Sequence, residues 1–270
     1  MKTKTLLIAA ATLAVGAVTS QAQVYSQNVV GYVNQTINGS GALNLIANPL
    51  NATTNLVETV LPAMQGGEIV YAWNGGGFYV YQYYPGLSTN GYASDWVDYS
   101  GGNNIPGDVL DSDSGNWFAP QPLIKPGQAI FLQNPNGTYT NTYAGTVVLS
   151  TTNAPITLSG SGQLSFIASA APLAGDLETN STINLPLQGG EIIYLWNGGG
   201  YYVYQYYPGL YPTYPSDWVD YSGGNNIPGD VLDSDSGNWF APNPNIKVGQ
   251  GFFYQNPNGA TNWTQNVHLN

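Results

Sequence analysis

Four oxygen-bearing side chains within nine residues are the strongest candidate for chemistry in this sequence. They are Asp108, Asp111, Asp113 and Asn116, and the same spacing recurs at Asp230, Asp233, Asp235 and Asn238. Ca²⁺ takes about six to eight oxygen ligands, and a loop of Asp and small residues can wrap around such an ion. The pattern departs from an EF-hand, because it lacks the acidic residues at the fifth and twelfth positions. It predicts two Ca²⁺ sites, with turn capping by the same Asp side chains as the alternative.

Aromatic side chains give a second candidate, a platform for sugar rings. Tyr79, Tyr81 and Tyr83 alternate along one predicted strand and therefore share one face. The platform would comprise Trp73, Tyr79, Tyr81, Tyr83, Trp96 and Trp117, with Trp196, Tyr202, Tyr204, Tyr206, Trp218 and Trp239 as its second copy. Planar rings stack on the C–H faces of sugars, while Asn, Asp and Gln side chains bond the hydroxyl groups. The alternative is that these aromatics form a core or a contact between modules.

Catalysis has few candidate residues. The sequence has no Cys and no Arg, and its one His is His268, so a nucleophile–base triad lacks its parts. A carboxylate pair such as Glu68 and Asp95 is the remaining way to cleave a glycoside. The glycines at 75–77 predict a hairpin turn, because no Lys-Ser/Thr pair or helix follows them to hold a phosphate. We therefore expect a protein that is not an enzyme.

These candidates lie in a long internal repeat. Asp95–Pro120, DWVDYSGGNNIPGDVLDSDSGNWFAP, recurs without a change as Asp217–Pro242. The interval of 122 residues between the copies is far longer than the roughly 20–50 residues of a solenoid repeat. The sequence therefore predicts two modules of the same fold, spanning residues 23–150 and 151–270.

Short strand-like segments separated by turn residues fill each module. Two examples are Ala42–Ala47 and Phe78–Tyr84, the second entered from a Gly-rich turn at 74–77. One or two helical turns are predicted at Leu56–Leu61, with Asn55 as the N-cap. Turn signals every ~8–12 residues, with almost no helical period, predict an all-β fold. We expect two tandem β-sandwich, jelly-roll-like modules related by internal duplication.

Segment 1–22 is typical of a secretory signal peptide. Lys2 and Lys4 precede an apolar stretch, Thr5–Val18, that is shorter than a membrane span of about 20 residues. Ser20-Gln21-Ala22 then forms a small-x-small cleavage site. Since no second hydrophobic segment follows, we expect a secreted chain at the cell surface or in the extracellular space, without membrane insertion.

Charge excludes one class of partner. The chain after residue 22 has two lysines, Lys125 and Lys247, against 15 carboxylates, a net charge of −13. Nucleic acids and anionic membranes attract basic proteins, so both are poor partners. Only 7% of residues are charged, which is not the composition of a disordered acidic chain. The surface must consist largely of Asn, Thr, Ser, Gly, Gln and Tyr.

Three short motifs follow one another in each module. In the first they are Asn44–Pro49 (NLIANP), Val70–Gly75 (VYAWNG) and Pro126–Phe131 (PGQAIF), and in the second Ser165–Ala170 (SFIASA), Ile193–Gly198 (IYLWNG) and Val248–Phe253 (VGQGFF). This order resembles an uncharacterised β-rich module of secreted surface proteins in Gram-negative bacteria, from which the second module departs at the first motif. The resemblance implies an exported, repeat-built, structural protein and supplies no catalytic residues.

We expect a non-enzymatic structural protein of the cell surface, an extracellular matrix or a filament. Tyr25–Ile37 and Trp263–Asn270 are related strand-like segments near opposite ends of the chain. Exchange of such a strand completes a neighbouring sheet and builds polymers, so other copies or other surface proteins would be the partners. The alternative function is carbohydrate binding, with a polysaccharide on the aromatic platform.

Overall fold

A computed structural model of the protein describes residues 29–149 and 155–267. These residues form two β-sandwich modules of the same architecture, which confirms the predicted all-β fold. The predicted signal peptide at 1–22, the predicted boundary between residues 150 and 151, and His268 lie outside the described residues.

The regular structure of the described residues is almost entirely β. The first module contains β1 (Val30–Ile37), β2 (Ala42–Ala47), β3 (Ile69–Trp73), β4 (Phe78–Tyr83), β5 (Trp96–Asp98), β6 (Val109–Leu110), β7 (Trp117–Ala119), β8 (Ala129–Asn134) and β9 (Tyr139–Thr146). The second contains β10 (Ile156–Leu158), β11 (Leu164–Ala168), β12 (Gly175–Asp176), β13 (Ile192–Trp196), β14 (Tyr201–Tyr206), β15 (Trp218–Asp220), β16 (Val231–Leu232), β17 (Trp239–Ala241), β18 (Asn245–Ile246), β19 (Gly251–Gln255) and β20 (Thr261–Trp263). One helical turn, α1 (Val57–Val60), and a 3-10 turn at Ser88–Asn90 accompany them.

Each module is built on one seven-stranded antiparallel sheet. The strand order is β2-β8-β3-β4-β5-β7-β6 in the first module and β11-β19-β13-β14-β15-β17-β16 in the second. The two orders correspond strand for strand, as the sequence repeat leads us to expect. The β3–β4 hairpin turns at Gly75, whose φ of 99° is accessible to glycine without steric cost.

A two-stranded ribbon covers one face of each sheet. β1 pairs with β9 along eight residues, and β10 pairs with β20 along three. Alternate side chains of the first ribbon point inward, so Ile37 and Tyr143 are buried in one core with Trp96 and Val70 of the sheet. Period-two alternation on both layers therefore produces a sandwich with an apolar interior.

The predicted N-cap of the helical turn is wrong. α1 is preceded by Leu56, and no side chain caps it. Asn55 instead has a φ of 53°, and its Oδ1 accepts hydrogen bonds from the N–H of Ala52 and from Nδ2 of Asn48. Asn tolerates the left-handed region better than most residues, so this side chain closes the loop before the helix.

The two modules pack face to face through a group of apolar residues, here called the inter-module cluster. Its buried members are Leu45, Ala47, Ala129, Phe131, Phe166, Ala168 and Phe253. Phe166 and Phe253 stack with ring centroids 4.2 Å apart, and Phe131 of the first module lies 5.3 Å from Phe166. Removal of these rings from water stabilises the contact between the modules.

Backbone hydrogen bonds relate the two modules by an approximate two-fold axis. The N–H of Ala47 donates to the carbonyl of Gly249 at 2.8 Å, and the N–H of Ala168 donates to the carbonyl of Gly127 at 3.1 Å. Ala47 corresponds to Ala168 in the repeat, and Gly127 corresponds to Gly249. Each module therefore gives the other the same bond, as the subunits of an isologous dimer do.

Ala129 and Gly251 correspond in the repeat and meet across this axis with different side chains. A Cβ atom added at Gly251 would overlap the Cβ of Ala129. Because the two modules are closely packed here, there is no space for a second methyl group. The difference between the two residues is therefore what allows the modules to approach.

Candidate functional site

A pair of carboxyl groups lies inside the repeated block. Asp98 at the end of β5 and Asp108, immediately before β6, bring their carboxyl groups within reach of a hydrogen bond that forms when one of them is protonated. The Asp98 carboxylate also accepts the N–H groups of Ser100 at 2.6 Å and Asn104 at 3.2 Å. Asp108 accepts the N–H of Ile105 at 3.0 Å. The turn between the two strands is thus held by hydrogen bonds to both acids.

The pair has unequal pKa values. The pKa of Asp108 is raised to about 6, mainly by burial. A hydrogen bond to Asp98 and the negative charge of Asp98 add to the rise, whereas the N–H of Ile105 acts to lower the pKa. Burial also acts to raise the pKa of Asp98, but the N–H groups of Ser100 and Asn104 outweigh it and leave that pKa below its ordinary value. The buried Oδ1 of Asp108 has no donor partner among the described residues. A protonated Asp108 that donates to an ionised Asp98 satisfies both groups.

The second module repeats the pair as Asp220 and Asp230. Asp220 accepts the N–H groups of Ser222 at 2.6 Å and Asn226 at 3.1 Å. Burial raises the pKa of Asp230 to about 6, and the hydrogen bond that protonated Asp230 donates to Asp220 adds to the rise. Both modules therefore carry the same pair of carboxyl groups, and we expect each to act as a proton-sharing pair.

The spacing of acidic residues indicated Asp108 but not its partner Asp98. The signal was present in the strand pattern, since residues two apart on a strand point to the same face. Asp98 follows the apolar Trp96 by two residues, and both side chains are buried. A carboxyl group on the core-facing side of a strand must find hydrogen-bond donors or retain its proton.

The other predicted calcium ligands lie on the loop between β6 and β7. Asp111 accepts the N–H of Ser114 at 3.1 Å and its hydroxyl at 2.5 Å, so it closes its own turn. Asp113 and Asn116 are exposed on the same loop, and Asp233, Asp235 and Asn238 repeat this arrangement. No group of three acidic or His side chains that could hold a metal ion occurs within 29–149 and 155–267. Calcium binding by this block stays a prediction.

The predicted tyrosine stripe points into the core. Tyr81 is buried, and Tyr79 and Tyr83 pack against the same core cluster. The Tyr83 ring lies 4.9 Å from that of Trp96. In the second module Tyr202, Tyr204 and Tyr206 belong to the equivalent core. The shared face of the stripe was predicted correctly, but it is the inner face of the sheet.

Trp96 and Trp218 cannot belong to the predicted sugar platform, because both are buried. Both side chains are fully buried, so neither offers a ring face to a ligand. The indole N–H of Trp96 donates to Glu58 at 2.8 Å, and that of Trp218 donates to Glu178 at 2.8 Å. The first pair fastens α1 to its sheet and the second fastens the turn after β12 to its sheet, because a buried indole N–H requires an acceptor.

The remaining predicted tryptophans occupy two further environments. Trp73 and Trp196 pack in the inter-module cluster, where the indole N–H of Trp196 donates to the carbonyl of Leu43 at 3.2 Å.

Trp117 is half-buried and lies so close to Gly102 that a Cβ there would be 2.8 Å from the ring. Trp239 lies against Gly224 in the same way. These rings are divided between two places and do not form one platform with the tyrosine stripe.

The carboxylates considered for glycoside cleavage are each bonded to backbone N–H groups. Glu68 is fully buried and accepts the N–H groups of Gln65 at 2.7 Å and Gly66 at 2.6 Å. Asp95 accepts the N–H of Ser88 at 2.6 Å. Both therefore hold turns, and Glu191 repeats the role of Glu68 in the second module.

A second aromatic surface, not predicted from the sequence, lies on the opposite face of the sheet. Tyr84 and Tyr99 are exposed there, and Tyr92 stacks on Phe118 at a centroid distance of 5.0 Å. Strand alternation put Tyr84 on the face opposite the tyrosine stripe. No pattern in the loop sequence indicates that Tyr92 packs against Phe118 of the sheet.

No protein family model, no curated protein sequence and no solved structure matches this chain. Among the described residues, no helix is long and apolar enough to cross a membrane.

Proposed function

We propose that this chain is a secreted, non-enzymatic structural protein, in which the two sandwich modules act as one rigid building block of a surface layer, matrix or filament. The observation that carries this proposal is the inter-module cluster, which joins the modules face to face through buried aromatic rings. An apolar contact of this kind resists the relative motion that is usual between domains. The acidic residues that recur in both modules are bonded to their own turns, which also favours a structural role.

The ribbon of β1 and β9 supplies a route to polymers. β1 belongs to a two-stranded sheet with β9, outside the seven-stranded sheet of its module. If β1 of one copy pairs with β9 of the next, the same eight-residue ladder forms between copies. Other copies of this chain are then the first partner, and the polymer uses the same β1–β9 ladder that forms within one chain.

A disulfide trap tests this exchange. Asn34 and Thr142 face each other across the ribbon, with the Thr142 hydroxyl donating to Asn34 Oδ1 at 2.8 Å. The chain has no cysteine, so the double variant Asn34→Cys with Thr142→Cys contains only the two engineered thiols. We expect oxidation after assembly at high concentration to give covalent multimers on non-reducing gels. Asn34→Cys alone, as the matched control, should give at most dimers.

Two results together would overturn the assembly proposal. One is a disulfide that forms only within single chains of the double variant at every protein concentration. The other is sedimentation of the unmodified chain, from residue 23 onward, as a monomer at high concentration with β1 and β20 protected from hydrogen exchange. Protected end strands in a monomer mean that the ladders close within one chain and are not exchanged.

A further inference from the structure

The outward face of the first module's sheet carries a groove that the proposed structural role does not use. It is called the tyrosine groove here, and its volume is about 350 Å³. Its aromatic lining consists of Tyr84, Tyr92, Tyr99 and Phe118. Tyr99 is 60% exposed and Tyr84 41% exposed, so two ring faces are open to a ligand. Large exposed aromatic side chains clustered around one concave site are typical of ligand binding.

The sheet register fixes the length of this groove. Gln82 pairs with Val97, and Val97 pairs with Phe118, so these three side chains form a continuous floor. Tyr84 lies two residues along β4 in one direction, and Tyr99 lies two residues along β5 in the other direction. Four strand residues separate the two rings along the strand axis, which corresponds to roughly 13 Å. The groove is therefore long enough for a short run of sugar rings.

Polar groups line the groove beside the rings. Gln82 contributes an amide to the floor, and Ser114 and Asn116 contribute a hydroxyl and an amide to the wall. Amides and hydroxyls both donate and accept hydrogen bonds, as sugar hydroxyl groups do. Asp98 also lines the groove, and its carboxylate is bonded to the N–H groups of Ser100 and Asn104. Aromatic faces together with such donors and acceptors are the chemistry that recognises a carbohydrate.

The second module carries the same aromatic set. Tyr207 is 41% exposed and Tyr221 is 61% exposed, close to the values of their counterparts in the first module. Tyr214 stacks on Phe240 with a centroid distance of 4.6 Å and an interplanar angle of 12°. A cavity of about 360 Å³ lies beside this stack. Tyr207 and Tyr221 do not line this cavity, which Asp233 and Asp235 border instead. The aromatic side chains, rather than the cavity, are therefore what the second module repeats.

The loop before the repeated block gives an independent reason to assign this surface a role. Its sequence is LSTNGYAS in the first module and LYPTYPS in the second, so it differs in both length and composition. Nevertheless Tyr92 and Tyr214 each stand three residues before the first Asp of the block. Each also stacks on the same Phe of its own module. The tyrosine is retained where the surrounding loop is not.

We propose that the tyrosine groove and its counterpart bind an uncharged polysaccharide, with Tyr84, Tyr99, Tyr207 and Tyr221 stacking on its sugar rings. The predicted charge of −13 after residue 22 repels anionic polymers, since like charges across a contact are unfavourable. Binding at both modules raises the affinity for a long polymer above that of one groove. This inference adds a partner and does not depend on assembly through β1.

Affinity electrophoresis in gels that contain a soluble polysaccharide tests the proposal. The probes are hydroxyethyl cellulose, laminarin, galactomannan and amylose as neutral polymers, and alginate as the anionic one. We expect retardation by at least one neutral polymer and none by alginate. The paired variant Tyr99→Ala with Tyr221→Ala should weaken the retarding interaction at least about tenfold, equal to about 1.4 kcal/mol. Tyr84→Ala with Tyr207→Ala should weaken it in the same direction.

Tyr32→Ala is the matched control, because Tyr32 is 75% exposed on the outer side of β1, away from the groove. It should leave retardation unchanged, and circular dichroism should show that every variant is folded. Retardation by no neutral polymer overturns the proposal, as does binding that survives both paired variants. Equal retardation by alginate overturns the assignment to an uncharged ligand. The disulfide trap reports on a different surface, so either proposal can fail alone.

Discussion

Gly251→Ala is expected to lower the free energy of unfolding by about 3 kcal/mol and to split the melting of the two modules into two steps. The added methyl group would overlap the Cβ of Ala129 in the inter-module cluster. The backbone of Gly251 is outside the left-handed region, so alanine fits its conformation and the whole effect arises from the clash. The modules must move apart, and the rings of Phe131 and Phe253 then lose contact with each other. Thermal unfolding followed by tryptophan fluorescence measures the change.

Ala129→Gly provides the control, because it removes the methyl group that the new one would meet. The double variant Gly251→Ala with Ala129→Gly exchanges the two residues across the approximate two-fold axis. We expect it to recover single-step unfolding and most of the lost stability. The single change Ala129→Gly should cost only about 1 kcal/mol, through a lost methyl contact and a freer unfolded chain. Additive effects of the two changes would show that the residues are not in contact.

Asp108→Asn combined with Asp230→Asn is expected to stabilise the protein at pH 7 by about 1 kcal/mol for each pair, after discounting for partial exposure. An amide at position 108 keeps an acceptor for the N–H of Ile105 and gives Asp98 a permanent donor. The unmodified Asp108 can donate only when it is protonated. The substitution therefore fixes the arrangement that the wild-type chain reaches only in acid.

The pH dependence follows from the direction of the shift. The pKa of Asp108 is about 6 in the folded chain against 3.8 for the free side chain. Its contribution to stability is therefore complete below pH 3.8 and is lost as pH rises through about 6. Asp95 and Asp98 have lowered pKa values, so their contributions are lost in stronger acid. The wild-type melting temperature should be highest near pH 5 and should fall toward pH 7.

In the double variant, the fall between pH 5 and pH 7 should be largely absent when melting is measured in EDTA. The matched control is Asp113→Asn with Asp235→Asn, which changes the net charge equally on an exposed part of the same loop. It should retain the wild-type pH dependence. A lower melting temperature for the Asp108 and Asp230 variant at pH 7, or an unchanged pH profile, would contradict the proton-sharing pair.

The same variant decides the calcium prediction. Ca²⁺ at 100 times its Kd should add roughly 2.7 kcal/mol for each site. If Asp108 and Asp230 are ligands, the wild-type shift on adding Ca²⁺ should disappear in the variant. If EDTA and Ca²⁺ leave the wild-type melting temperature unchanged, these carboxylates hold turns and share protons only.

Sequence pattern was sufficient for most of the fold. Ala42–Ala47 is the observed β2, and the alternation of Tyr79, Tyr81 and Tyr83 correctly gave them one shared face. The start of β9, which spans Tyr139–Thr146, is harder to predict. Its Thr- and Asn-rich start has weak local strand signals, and pairing with β1 decides where it begins.

The candidate sites were harder to predict, because burial depends on which face of a sheet meets a neighbour. Alternation assigns residues to two faces but does not say which face is the core, so Trp96 and Tyr81 were candidates for a platform. Two-layer packing with the ribbon buries that face, and the second module covers part of the other. The partnership of Asp98 with Asp108 likewise depends on a turn ten residues long, which no local pattern specifies.

Differential scanning calorimetry of the unmodified chain from residue 23 onward tests most directly whether the two modules form one rigid unit. The inter-module cluster predicts one cooperative endotherm, in which the calorimetric enthalpy equals the van't Hoff enthalpy. Two separate endotherms, each with the enthalpy of one module, would contradict the account, because the modules would then melt independently of the contact between them.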